Sequence, residues 1–379
     1  MMPLFFRYRR GWILCLVAVL SAPLIVGLLF PGTKRSPDEF RPSAAAPPMP
    51  QGWREWLSFP ARIDPWLRDN FGLRRQMIHA QALVAHRLLG SGNDSVLIGK
   101  RWQLFYRTEG TVEQSAGLLI RENQVRQTAD LIQQVDAILA ARGIAFIFGV
   151  PPNGSTIYHD LLPRWARRGD RATEYDLLIT ALHERGVRML DMRPSLRAAR
   201  GAGRVYFRYD THWNPAGALA GYNAVVSAMG HEAWRADHAG IFGPITQRSG
   251  SDLARMLGLS ADLSEPVRYL TVPVPQGETL QGTPPFPPPF VTTSERSEGP
   301  TILILGDSFS NAEVLRLTAQ HARRAVWLHH EACHFDWKLI DQFQPDEVWW
   351  LPVERAMLCW PDRRPRNMPE APAAPHSPR

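Results

Sequence analysis

A chain of 379 residues, 45% of them hydrophobic, is long enough to bury the core of one large α/β domain or two smaller ones. Its formal charge of +7 comes from arginines scattered through the leader, the stretch Arg164–Arg171 and Arg363-Arg364-Pro365-Arg366, with no RNA- or DNA-binding signature beside them. A nucleic-acid partner is therefore excluded in favour of a solvated basic surface, which also suits an anionic polymer.

At the N-terminus, Arg7, Arg9 and Arg10 precede Gly11–Phe30, an uncharged run about as long as a helical bilayer span. The run is long for a signal peptide and no small-x-small site closes it. The expected arrangement is a cytoplasmic basic leader over 1–10 and a transmembrane signal anchor over 11–30. The rest of the chain then lies outside the cytoplasm, which for a bacterium means a single-pass inner-membrane protein with its domain in the periplasm. Cys15 falls in this run. Cys333 and Cys359 are left as the pair available for a disulfide, though the sequence does not show that they meet. Residues 31–52, rich in Pro, Ala and Ser, read as a linker.

The folded region is expected over 53–360. A helical pattern follows Asp69-Asn70-Phe71-Gly72-Leu73-Arg74, and short strands are predicted over Ser95–Ile98 and Trp102–Tyr106. The apolar positions Val125, Ala129, Leu131, Ile132, Val135 and Ile138 predict a helix from Glu122 to Arg142. A buried strand, Ile144–Val150, follows Gly143. The alternation continues with a helix over Ala172–Arg185, strands over Val187–Leu190 and Val205–Phe207, and a helix from Pro215 to Met229. It ends with strands over Thr301–Leu305, Ala325–Leu328 and Val348–Leu351 and a helix over Asp336–Phe343. This pattern predicts an α/β fold with a doubly wound, mostly parallel sheet. The stretch 231–300, with Pro284-Pro285-Phe286-Pro287-Pro288-Pro289, reads as an irregular insertion, and 361–379 as a disordered Pro-rich tail.

Two strand ends carry chemistry. Gly306-Asp307-Ser308-Phe309-Ser310 closes the apolar strand Thr301–Leu305 and precedes a helical pattern over Ala312–Gln320. That is where α/β sheets carry their ligands, with helix amides expected beside Ser308. Asp210-Thr211-His212-Trp213 occupies the same kind of loop before Pro215. A serine hydroxyl needs a base to become nucleophilic. Histidine titrates near working pH, and a carboxylate holds its tautomer. Ser308, His212 and Asp210 are thus the candidate nucleophile, base and orienting acid, against the plainer reading of helix caps and a surface histidine. A rival, His330-Glu331-Ala332-Cys333-His334, matches the H-E-x-x-H zinc pattern. That pattern needs a helix, and these residues directly follow a strand. The only later histidine is His376, so no third ligand follows.

The chain resembles the SGNH-hydrolase-like polysaccharide O-acetyltransferases of the AlgJ/AlgX type. The likeness rests on the two motifs above, with Gly217, and covers about residue 59 to Arg355. It is supported by Asp69–Arg74, Ile98-Gly99-Lys100, Val150-Pro151-Pro152-Asn153 with Tyr158, and Asp252-Leu253-Ala254-Arg255-Met256. As in that family, the Asp-x-His pair precedes the serine, the reverse of ordinary SGNH esterases. The resemblance implies an SGNH-hydrolase-like fold and an acetyl-serine at Ser308. The acetyl group passes to a polysaccharide hydroxyl, with a membrane-bound O-acyltransferase as donor and neither cofactor nor metal. An acetyl esterase or a silent scaffold is the alternative. The chain departs from the family at Gly154, where a lysine is common, and at Trp102-Gln103-Leu104-Phe105 in place of Gly-Trp-Leu-Phe.

Overall fold

The computed structural model describes residues 8–29, 44–70, 72–237, 240–282, 284–292 and 298–371. The start of the basic leader, most of the linker, Phe71 and the end of the tail lie outside them. The chain divides into two compact units, one made of Met1–Asn93 with Ser249–Leu263 and the other of Asp94–Arg248 with Ser264–Arg379.

The first unit is helical. The apolar leader forms a 21-residue helix, Arg9–Leu29, with Pro23 inside it. Among the described residues, no helix is long and apolar enough to cross a membrane. The anchor expected over 11–30 is therefore not supported. The apolar run is broken by Ser21, whose hydroxyl turns back to the Val17 carbonyl, and by Pro23, which has no amide for the helix ladder. Further helices span Trp53–Asn70, Arg74–Arg87 and Asp252–Met256. His79 meets Asp262 at 2.7 Å, and Asn93 donates to the Met256 carbonyl at 2.9 Å.

The second unit holds strands β1 (Val96–Ile98), β2 (Leu104–Tyr106), β3 (Ala145–Val150), β4 (Met189–Asp191), β5 (Phe242–Arg248) and β6 (Glu265–Leu270). It also holds β7 (Gly277–Thr279), β8 (Phe290–Thr292), β9 (Thr301–Gly306), β10 (Arg324–His329) and β11 (Glu347–Leu351). Seven of them form one mixed sheet in the order β4-β3-β11-β9-β10-β8-β7. The first five are parallel, β8 pairs antiparallel to β10, and β7 pairs antiparallel to β8.

Every residue of β9 is buried, as a central strand covered on both faces requires. Ile302 and Ile304 face a core built with Ala218, Leu219 and Tyr222 of the Pro215–Ala228 helix. Leu303 and Leu305 face another, built with Ile132, Val135 and Leu178 of the Glu122–Ala141 and Glu174–Glu184 helices. The two-faced core is the expected consequence of strands alternating with amphipathic helices.

Three expectations are corrected. Val205–Phe207 is not a strand: it makes a single bridge, Tyr206 to Trp213, because the chain bends back on itself there. The stretch 231–300 is not simply irregular. It supplies the β5–β6 hairpin and the edge strands β7 and β8, and strands of three residues set between prolines leave no periodicity to read. The tail is ordered through 371: Arg366 exchanges backbone hydrogen bonds with Phe335 and Trp337, each at 2.9 Å. Cys333 and Cys359 form a buried disulfide with a Cα–Cα distance of 5.5 Å.

Candidate active site

The central strands β9, β10 and β11 end in register, with Gly306 opposite His329 on one side and Leu351 on the other. The turn after Gly306 is fixed by Asp307. Its Oδ1 accepts the Phe309 amide at 2.9 Å and its Oδ2 the Val353 amide at 2.8 Å, which joins the turn to the chain leaving β11. Glycine is needed at 306 for space: a Cβ there would lie 1.9 Å from Ser310 Oγ. Ser308 is left exposed at the strand end.

The partner loop is held from two sides. The buried Gln103 amide donates to the Phe207 carbonyl at 3.0 Å and the Arg208 carbonyl at 3.3 Å. The Glu265 carboxylate accepts the amides of Arg208 and Tyr209 at 2.8 and 3.1 Å. Beyond the loop, Asn214 caps the next helix by accepting the Gly217 amide at 3.0 Å. Gly217 and Gly221 admit the neighbouring chain, since a Cβ at either would meet Val205 O at 2.0 Å or the Trp213 ring at 2.7 Å. Gln103, one of the departures from the family pattern, thus braces the segment that carries Asp210.

These two loops bring together the three candidate residues. His212 Nε2 lies 2.8 Å from Ser308 Oγ, and His212 Nδ1 lies 2.6 Å from Asp210 Oδ1. Burial pushes the Asp210 carboxyl up, but the hydrogen bond and charge of His212 and the charge of Arg248 outweigh it. The group is held well below the usual carboxylate range. Arg248 Nη2 reaches Asp210 Oδ2 at 2.8 Å. Sequence reasoning missed this arginine: it ends β5, inside the stretch without a period, and a lone arginine carries no signal. Exposure increases along the series, from a carboxylate side chain 4% exposed, through an imidazole at 29%, to an exposed hydroxyl. Such a series can move a proton from the serine to the imidazole and stabilise the resulting imidazolium.

A further expectation changes. The helix after the nucleophile starts at Glu313, not beside Ser308. The Phe309 and Ser310 amides are already bonded to Asp307, so of the amides from Ser308 to Ser310 it is that of Ser308 that makes no hydrogen bond among the described residues. Trp213 and Phe309 are 5% and 1% exposed, so both pack in the core. The Trp213 indole donates to the Phe309 carbonyl at 3.1 Å, and the Phe309 ring lies 5.1 Å from that of His212. Their role is to seat the histidine.

The H-E-x-x-H segment forms no α-helix. Glu331, Ala332 and Cys333 all have left-handed φ, and Cys333 is in the disulfide. Its His330 is buried, which lowers its pKa to about 4 against the pull of Asp307, whose carboxylate lies 3.9 Å away. The two histidines are thus not presented on one helix face as the zinc pattern requires.

Residues 96–345 match the family described as the SGNH hydrolase-like domain of acetyltransferase AlgX. The chain is 27% identical over 148 residues to a probable alginate O-acetylase AlgJ from Pseudomonas aeruginosa, covering 39% of this chain and 36% of that protein. It is 25% identical over 150 residues to the namesake from Azotobacter vinelandii, covering 40% and 37%. The matched segment spans little more than a third of these relatives. Among solved structures, Bacillus cereus PatB1 superposes with a TM-score of 0.53 at 16% identity, over 70% of this chain and 98% of that one, a likeness of fold.

Proposed function

Because the chain belongs to the family of SGNH hydrolase-like acetyltransferase domains of the AlgX type, we propose that it transfers acetyl groups to hydroxyls of an exopolysaccharide through an acetyl-serine at Ser308. The observation that carries the reading is the hydrogen-bonded series Ser308–His212–Asp210, at 2.8 and 2.6 Å. In the first half-reaction Ser308 Oγ attacks the carbonyl carbon of an acetyl ester while His212 Nε2 takes its proton. The bond from that carbon to the donor oxygen then breaks, and His212 returns the proton to the leaving oxygen. In the second half-reaction a sugar hydroxyl gives its proton to His212 and attacks the acetyl-serine carbonyl. Ser308 leaves with the proton from His212, so atoms and charge balance. The Ser308 amide is the candidate donor to the transient oxyanion. Asp210, kept ionised by His212 and Arg248, orients the imidazole and stabilises its charged form.

The relatives named alginate O-acetylase make alginate the first acceptor to try, with a membrane-bound O-acyltransferase as the proposed acetyl source. Action in the periplasm belongs to the same proposal, supported by the disulfide, which persists in oxidising compartments. Hydrolysis is the second reading. The exposure of Ser308 favours it, since water can reach an acyl group there. A strain carrying Ser308→Ala separates them: acetyl content of the secreted polysaccharide falls for a transferase and rises for an esterase. No change in either direction refutes both.

A further inference from the structure

Beside the nucleophile turn, the second unit contains a cleft of about 390 Å³ between the β7–β8 edge hairpin and the Glu313–Thr318 helix. We propose that this cleft is a subsite that holds the acceptor glycan beyond the sugar that reacts. The proposal deepens the transferase reading and rests on it for its ligand.

The register of the sheet fixes where the cleft lies. Trp327 stands opposite Ile304 of β9 and Phe290 of β8, two residues before the strand ends at His329 and Gly306. Both aromatics line the cleft, so it begins just below the level of Ser308 and flanks it on the β10 side. Its floor is tied to the nucleophile turn, because the Trp327 indole donates to Ser310 Oγ at 3.0 Å. Asn311, three residues beyond Ser308, forms part of its rim.

The lining has the two components that a sugar chain needs. Phe290, Leu315 and the prolines before β8 offer apolar surface to ring faces. Asn311, Thr279, Glu313 and Arg316 offer groups for sugar hydroxyls. Arg316 Nε is buried, with no hydrogen-bond partner among the described residues. On the other flank, past β11, the Arg355 guanidinium lies 5.3 Å from the Phe309 ring centroid and 5.4 Å from that of Tyr106. It makes no ion pair among the described residues. From β11 to β8 is three strand spacings, roughly 14 Å. That span exceeds one sugar ring and suits a chain laid across the strand ends, with its reacting hydroxyl above Ser308.

Thr279 is exposed on the edge strand β7, so Thr279→Trp fills the cleft without disturbing the core. The probes are alginate oligosaccharides of graded length and a chromogenic acetyl ester as donor. Affinity for wild-type protein should rise with length and then level off. Thr279→Trp and Arg316→Ala should each raise KM for the longer oligosaccharides about tenfold, equivalent to about 1.4 kcal/mol. The shortest acceptor and the rate of acetyl-enzyme formation should be unaffected. Length-independent affinity, or an unchanged KM in both variants, overturns the subsite. Slower acetyl-enzyme formation assigns the cleft to the donor and overturns it too. Calorimetric binding of a long oligosaccharide to Ser308→Ala protein reads the cleft without chemistry. Binding there that Thr279→Trp weakens supports the subsite even where no acetyl-enzyme forms, a result that removes the transferase reading alone.

Discussion

Replacing Arg248 by methionine tests how the buried end of the relay is held. Asp210 is 5% exposed, and its oxygens have separate partners, His212 on Oδ1 at 2.6 Å and Arg248 on Oδ2 at 2.8 Å. Methionine keeps an apolar stem near Phe207, whose ring centroid lies 4.2 Å from the guanidinium carbon, but removes the charge. A hydrogen bond to a charged group contributes about 1.5–3 kcal/mol. Losing it raises the Asp210 carboxyl back toward the ordinary carboxylate range. The folded-state value is depressed, so the stabilisation it brings is present above the ordinary value of 3.8 and is lost as pH falls through the folded-state value. In the variant that loss comes at higher pH. Urea titrations should therefore show the full stability gap at neutral pH and a narrowing gap as pH falls through the variant's folded-state value. Loss of the guanidinium–Phe207 contact adds about 0.5–1 kcal/mol at every pH. Acetyl-enzyme formation should slow about tenfold, as one charged contact of about 1.4 kcal/mol implies. A gap equal at neutral and acidic pH, or no gap, refutes the assignment of Arg248 to the Asp210 carboxylate.

Three more predictions follow from the same geometry. Burial raises Glu354 from 4.5 to about 6, against the Thr156 hydroxyl and Asn153 amide it accepts. Its ionised form therefore opposes folding above that value, and stability should increase by about 2 kcal/mol as pH falls from about 6 to 4.5. Glu354→Gln should flatten that slope in parallel denaturation curves. Gln103→Leu strands the Phe207 carbonyl, while the Arg208 carbonyl keeps the Leu104 amide at 3.0 Å, and should cost about 1–3 kcal/mol, with slower acetyl-enzyme formation because the Asp210 loop loses its brace; equal rates contradict that role. Reducing the Cys333–Cys359 disulfide, which closes a separation of 26 residues, should lower stability by about 3 kcal/mol, read as a fall in Tm.

Much of this was legible in the chain. The β9 run, the Glu122–Ala141 helix and the Pro215–Ala228 helix all carry periods set by burial, and burial on two faces follows from their alternation. Ser308 is legible because it sits at a turn between periodic elements, and Asp210 and His212 because their motif directly precedes the helix that starts at Pro215. Arg248, Gln103 and Glu265 are not, because their roles depend on long-range partners: Gln103 braces a loop more than a hundred residues away. β8 is held by pairing to β10 and β7 by pairing to β8, not by a pattern of their own. The oxyanion donors were misplaced for a local reason, since Asp307 occupies the amides that a helix start would have offered.

The most direct test is to locate the acetyl group. Wild-type protein mixed with an acetyl ester, quenched in acid and digested, should carry one acetyl group on the peptide containing Ser308. Added alginate oligosaccharide should discharge it with transfer of the label to sugar. Ser308→Ala should carry none, and His212→Ala should form it far more slowly. Acetylation that persists in Ser308→Ala, or that maps to another residue, contradicts the account.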